Sequence, residues 1–207
     1  MIVSLNPGHS ESDPGAIGPT GLREAEVNAA IAELIASRAG DGVVYAVERQ
    51  VPGTKGLGRF LLALRENPPL VLVSLHCDAY AWQPGRCIHR ATVYYWQGDK
   101  DTERRNASHR LAVISREAAR RPNGYASDAM VRPAPYLRRD KNGTPYPFVP
   151  GILKGTAKGA VALIEMGFLS DPHVEGQMKR PEWRQSAAIA IDRGIRQFVA
   201  TGEIKEE

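Results

Sequence analysis

Long apolar runs are missing from this chain of 207 residues. No stretch approaches the roughly 18 residues that a membrane-spanning helix requires, so membrane insertion is not expected. The N-terminus lacks a basic segment followed by an apolar one, the mark of a secretory leader. Synthesis in the cytoplasm is the corresponding expectation, or secretion if a leader has been removed. Cysteine is scarce: Cys77 and Cys87 are the only two. They are too few for a cysteine-only zinc site and lack C-x-x-C spacing. Two reduced thiols are expected of a cytoplasmic product. Internal repeats and low-complexity linkers are also absent. No helix-turn-helix, zinc-finger or RNP signature is present, so no nucleic-acid partner is expected.

What is present is an alternation of short apolar runs and helical patterns. Ile2–Leu5, Val43–Val47, Leu70–Leu75, Ala91–Trp96 and Val161–Ile164 read as strands. Leu22–Ala39, Leu57–Glu66, Thr102–Arg121 and Glu182–Ala200 read as helices, with apolar residues recurring every three or four positions. Such alternation predicts an α/β domain with a mostly parallel twisted sheet of about six strands and helices on both faces. Gly124–Gly159 is the exception, rich in proline and aromatics and without a clear period. A loop of that length in a compact domain is usually functional.

Charge is unevenly spread. Arg86–Lys141 holds 13 Lys and Arg against 6 Asp and Glu, a net of +7. A basic region suits an anionic partner, whether nucleic acid, an acidic membrane or a cell-wall polymer, although any single charge is explained by solvation alone.

Ligand sites in open α/β sheets gather at the carboxyl ends of strands. His9 follows the first strand, His76 ends the third and Glu165 ends the last. Each alone is adequately explained by hydrogen bonding, capping or solvation. Three at one sheet edge point to a site. Glu24 joins them for another reason. It lies three residues before Val27 and seven before Ile31, so it shares the stripe of its helix that packs on the sheet. A carboxylate facing inward is costly unless paired or bound to metal. Glu11 and Asp13 have no such argument and are set aside. His89, His109 and His173 fit a site less well, lying between strands, within the Arg-rich helix and at an expected helix start.

Two imidazoles and a carboxylate form a zinc site with an open fourth position. Zinc there lowers the pKa of water toward about 7. Hydrolysis also needs a base that takes the proton and returns it to the leaving group, and Glu165 is the candidate outside the ligand set.

These segments resemble the zinc-dependent N-acetylmuramoyl-L-alanine amidases of bacterial autolysins and phage endolysins. "NPGHSESDPGAIGPTGLREAEVN" (Asn6–Asn28) is similar to the family's first motif, "VSLHCDAY" (Val73–Tyr80) to its second-histidine segment, and "ATVYYW" (Ala91–Trp96) to the next strand. "ALIEMGFLSD" (Ala162–Asp171) is similar to its catalytic-glutamate motif. The resemblance implies a catalytic domain over residues 1–201 with a short tail at 202–207. It implies one Zn2+ held by His9, Glu24 and His76, and Glu165 as general base. The implied substrate is peptidoglycan, cleaved between the muramic acid lactyl group and L-alanine of the stem peptide, by a monomer. A zinc peptidase or deacetylase would use the same ligand set. A wall-binding module with a structural metal is the non-enzymatic alternative.

Overall fold

The computed structural model describes residues 1–50, 56–81, 90–98, 100–120, 129–134, 136–139, 145–148, 150–202 and 204. Its strands are β1 (Ile2–Pro7), β2 (Val44–Val47), β3 (Val71–Asp78), β4 (Thr92–Trp96), β5 (Met130–Ala134), β6 (Tyr136–Arg139), β7 (Pro145–Phe148) and β8 (Ala160–Phe168). Its α-helices are α1 (Glu24–Ala36), α2 (Gly56–Glu66), α3 (Thr102–Arg120), α4 (Pro172–Met178) and α5 (Pro181–Ala200). Six strands form one sheet in the order β2-β1-β3-β8-β4-β5. The first four are mutually parallel; β4 runs antiparallel to β8, and β5 parallel to β4. The expected mostly parallel, six-stranded α/β sheet is what the chain forms.

Pleating assigns alternate residues to opposite faces. Val3 and Leu5 of β1, Val71, Val73 and Leu75 of β3, and Ala162 and Ile164 of β8 share one buried core with helical side chains. Val27, Ile31 and Ile35 of α1, Leu111 of α3, and Ile191, Ile195 and Phe198 of α5 meet them there. Full burial of each such large apolar side chain is worth about 1.5–3 kcal/mol. The spacing of these helical residues, three or four apart, is what lets each helix lay one stripe on the sheet. Leu72, Val161, Leu163 and Tyr94 point to the opposite face, under Phe60, Leu61 and Leu64 of α2 and the short turn Gly151–Leu153. Helices therefore cover both faces, but the second layer is smaller.

On that thinner side the composition changes along each strand. Leu72 is followed by Ser74 and His76; Val161 and Leu163 are followed by Glu165. Ser74 is fully buried and donates to Asn6 Oδ1 of β1 at 2.8 Å. The apolar floor thus turns polar toward the carboxyl ends of the strands. β1 has β2 on one side and β3 on the other, so the chain order reverses there, where α/β sheets place their ligand crevices.

Several boundaries differ from the sequence reading, and those at the site matter most. β3 and β8 extend beyond Leu75 and Ile164, so His76 and Glu165 lie within strands rather than after them. α1 begins at Glu24 rather than Leu22, because Gly21 takes a left-handed φ of 91° and Leu22 still belongs to the preceding turn. The aperiodic Gly124–Gly159 stretch contains β5, the antiparallel ribbon β6–β7 and the Gly151–Leu153 turn. β5 includes Pro133, which a strand tolerates at a sheet edge, and β5 is the edge beside β4. Cys87, His89 and Gly124 lie outside the described residues. Among the described residues no helix is long and apolar enough to cross a membrane.

Candidate metal centre

β1 ends at Pro7, and the chain turns over the end of β3, with the Gly8 N–H donating to Leu75 O at 2.9 Å. His9 follows with φ of 69°, a left-handed conformation that costs a non-glycine residue about 1–3 kcal/mol. A small closed loop holds it there: Ser10 N–H donates to Asp13 O at 2.9 Å, and Asp13 N–H to Ser10 O at 3.1 Å. Asp13 Oδ2 also lies 3.1 Å from His9 Nδ1. With a proton on Nδ1 facing that carboxylate, Nε2 is left as the electron-pair donor, the usual means of orienting a ligand imidazole.

Glu24 stands in the first turn of α1 and is 3% exposed. Its inward direction, inferred from the apolar stripe, is what the fold contains. Oε2 lies 3.3 Å from His9 Nε2, and Oε1 lies 3.0 Å from His76 Nδ1. The Ala16 N–H donates to Oε2 at 2.8 Å and the Cys77 N–H to Oε1 at 2.9 Å. Burial opposes ionisation of Glu24, but hydrogen bonds and charge from His76 and His9 outweigh it, holding the carboxyl well below the usual carboxylate range. Burial likewise lowers the His9 pKa, and the Glu24 and Asp13 carboxylates more than reverse this, so His9 sits above its ordinary value.

The ligand atoms of His9, Glu24 and His76 all lie within 4.8 Å of one another. Their rings and carboxylate converge where backbone leaves no space for other side chains. A Cβ on Gly8 would come within 2.1 Å of His76 Cε1, and one on Gly15 within 2.5 Å of Glu24 Oε2 and 2.6 Å of His9 Cδ2. Gly15 also has a φ of 68°. Two imidazoles, one carboxylate and an oriented Nδ1 suit a borderline-soft divalent cation, and the donor set fits Zn2+.

Glu165 is the registered neighbour of His76 on the adjacent parallel strand, so the two side chains leave the same face of the sheet. Glu165 lines a cleft of about 390 Å³ together with all three donors and with Asn6, Pro150 and Ile152. The four residues singled out in the sequence are therefore brought together. His109 is not among them: it is exposed on α3, its ring centroid 4.8 Å from that of Tyr95. His173 sits in the first turn of α4, where its N–H donates to the capping Asp171 at 2.9 Å.

Three contributors were not found from sequence. Asp13, set aside there, holds His9. Asn28, fully buried one turn after Glu24, donates to Gly8 O at 3.1 Å and Glu24 Oε1 at 3.4 Å, tying helix to loop. Its position at i+4 from Glu24 was a readable signal. Glu175 of α4 accepts from the Thr20 N–H at 2.9 and 3.0 Å and the Leu22 N–H at 3.1 Å. It thereby clamps the turn that delivers Glu24, and Gly18 packs so closely on it that a Cβ would lie 2.4 Å from its Oε1. Cys77, beside a metal ligand in sequence, is a free thiol whose side chain belongs to the opposite core and is 4% exposed. Burial, then the Glu24 charge, pushes its pKa well above the ordinary thiol value.

A family model described as N-acetylmuramoyl-L-alanine amidase matches residues 3–197. Solved structures share the fold. The amidase AmiC2 of Nostoc punctiforme is 22% identical with a TM-score of 0.72, and the N-acetylmuramoyl-L-alanine amidase of Clostridium difficile 630 is 21% identical with a TM-score of 0.73. The Mycobacterium smegmatis amidase Ami1 is 24% identical with a TM-score of 0.70. In all three pairs 97% of this chain and 97% of the other are covered. No curated protein matches in sequence.

Proposed function

This chain belongs to the N-acetylmuramoyl-L-alanine amidase family, and from that membership we propose how its own residues divide the reaction. The protein is a peptidoglycan amidase that cleaves the bond between muramic acid and the L-alanine of the stem peptide. His9, Glu24 and His76 would hold one zinc ion, and the observation that carries this reading is their convergence within 4.8 Å beside Glu165. Zinc, when bound, acidifies water and polarises a carbonyl oxygen.

Glu165 acts as the general base and then the general acid. It removes a proton from the attacking water as the new C–O bond forms at the lactyl carbonyl. It delivers that proton to the alanine nitrogen as the C–N bond breaks. The products are a free lactyl carboxyl and a stem peptide with an N-terminal alanine. Asp13 keeps His9 in the correct tautomer and orientation, and the N–H groups of Ala16 and Cys77 hold Glu24 ionised in place. The apolar floor of Leu163 and Ile152 lowers the local dielectric on one side of the cleft.

The basic region Arg86–Lys141 supplements substrate binding by attraction to anionic wall polymers. Along α3, Arg110 is exposed and Arg104, Arg105 and Arg116 are half-buried, which supports this role. Retention on purified walls should weaken as salt rises, because exposed charges are screened over about 10 Å at 0.1 M; salt-independent retention counts against it. The amidase reading itself is tested by digesting purified peptidoglycan with and without added zinc after chelation. New N-terminal alanine that appears only with zinc supports it, and new termini of any other kind would overturn it.

A further inference from the structure

A second cavity, of about 510 Å³, adjoins the metal cleft. His9 and Gln50 line both, so the two form one groove running past the first metal ligand. The metal cleft presents an apolar floor alongside the donors. The second cavity instead carries charges of both signs: Arg23, Arg49, Glu11 and Glu26. Arg49 is already engaged by Glu33. Arg23 is exposed and has no ion-pair partner among the described residues.

A substrate with its scissile amide at the metal extends in two directions. The glycan side offers neutral sugars. The stem-peptide side offers a carboxylate on its second residue and, in diamino-type stems, an amine on its third. A cavity holding both cations and anions is matched by the peptide and not by the sugars. The reach agrees as well. Arg23 precedes the ligand Glu24 directly, about 3.8 Å away along the backbone. The second stem residue lies about 7 Å from the scissile bond in extended chain, within the span of an arginine side chain.

Resting on the amidase reading above, we propose that this groove is the stem-peptide subsite and that Arg23 binds the carboxylate of the acidic second residue. Arg23 touches neither the metal donors nor the scissile bond in this assignment; it selects the substrate. A guanidinium–carboxylate hydrogen bond lost on amidation corresponds to about a 10- to 100-fold change.

The test uses two soluble muropeptides that differ only at the second stem residue, one with a free α-carboxylate and one with a carboxamide. The zinc-loaded protein should favour the carboxylate by about 10- to 100-fold in kcat/KM. In Arg23→Ala, checked by atomic emission to retain its zinc, the ratio of the two kcat/KM values should fall toward one, and Arg23→Lys should restore part of it. Equal kcat/KM for the two substrates in the parent protein, or an undiminished ratio in Arg23→Ala, overturns the subsite. Cleavage of neither substrate at the lactyl–alanine bond brings down the amidase reading, and the subsite with it.

Discussion

Asp13 Oδ2 lies 3.1 Å from His9 Nδ1, on the far side of the ring from the nitrogen that faces Glu24. The aspartate thus fixes which nitrogen is available to metal. Asp13→Ala should weaken zinc binding by about 10- to 100-fold, the usual cost of losing such a support. Competition with a chromogenic chelator measures it. An affinity equal to that of the parent protein would show that the loop alone orients His9.

Glu165 shares its register position with His76 but stands outside the donor set. Glu165→Gln keeps the shape and removes the proposed base. Zinc content should stay near one per chain while kcat falls by about 10²- to 10⁴-fold. Full turnover by this variant, assayed on purified walls, would remove Glu165 from the chemistry.

Gly8 has no room for a methyl group because the His76 imidazole occupies that space. Gly8→Ala should therefore displace His76 and abolish tight zinc binding while the circular dichroism of the sheet and helices persists. Parental zinc affinity in this variant would mean that the ring can move aside without cost to the site.

Glu175 is nearly inaccessible, and burial alone would raise its pKa. Hydrogen bonds from the Leu22 and Thr20 N–H groups, helped by the Lys179 charge, reverse that and leave it below the ordinary value of 4.5. A folded-state pKa below the unfolded one means that its stabilisation is fully present above about pH 4.5 and is lost as pH falls through the folded value. Glu175→Ala should lower stability by about 1–3 kcal/mol at neutral pH, since the Leu22 N–H loses its acceptor in a buried place and the Thr20 N–H in a part-buried one. The gap between variant and parent should narrow as the medium is acidified below the ordinary value of 4.5 and through the folded-state value. Denaturant titrations across that range report it, and a gap that is constant with pH would exclude the ionised carboxylate as its source.

The parts of the site that local pattern could reveal were legible. His9, His76 and Glu165 each follow an apolar run of the sequence, and the carboxyl ends of parallel strands lie at a common edge. Glu24 was legible because helical periodicity placed a charge among Val27 and Ile31. Glu175 was not, since it acts on Thr20, 155 residues away in the chain, and no local period encodes such a pairing. Asp13 looked like any small acid in a glycine-rich turn; its role arises only when the Ser10–Asp13 loop closes. β5 escaped notice for a related reason. An edge strand has only one neighbour to satisfy, so its sequence can carry Pro133 and lose the alternation that marks an interior strand.

The pleat gives the ends of β3 and β8 two separate duties. On β3, His76 faces the cleft while Leu75 and Cys77 face the helical core; on β8, Glu165 faces the cleft while Ile164 and Met166 face the core. A saturation screen scoring abundance and lysis separately should show a two-residue rhythm along both strands. One set of positions would yield plentiful but inert protein, and the interleaved set scarce protein whose surviving molecules still turn over. Neighbours in the chain would then differ more in phenotype than residues two apart.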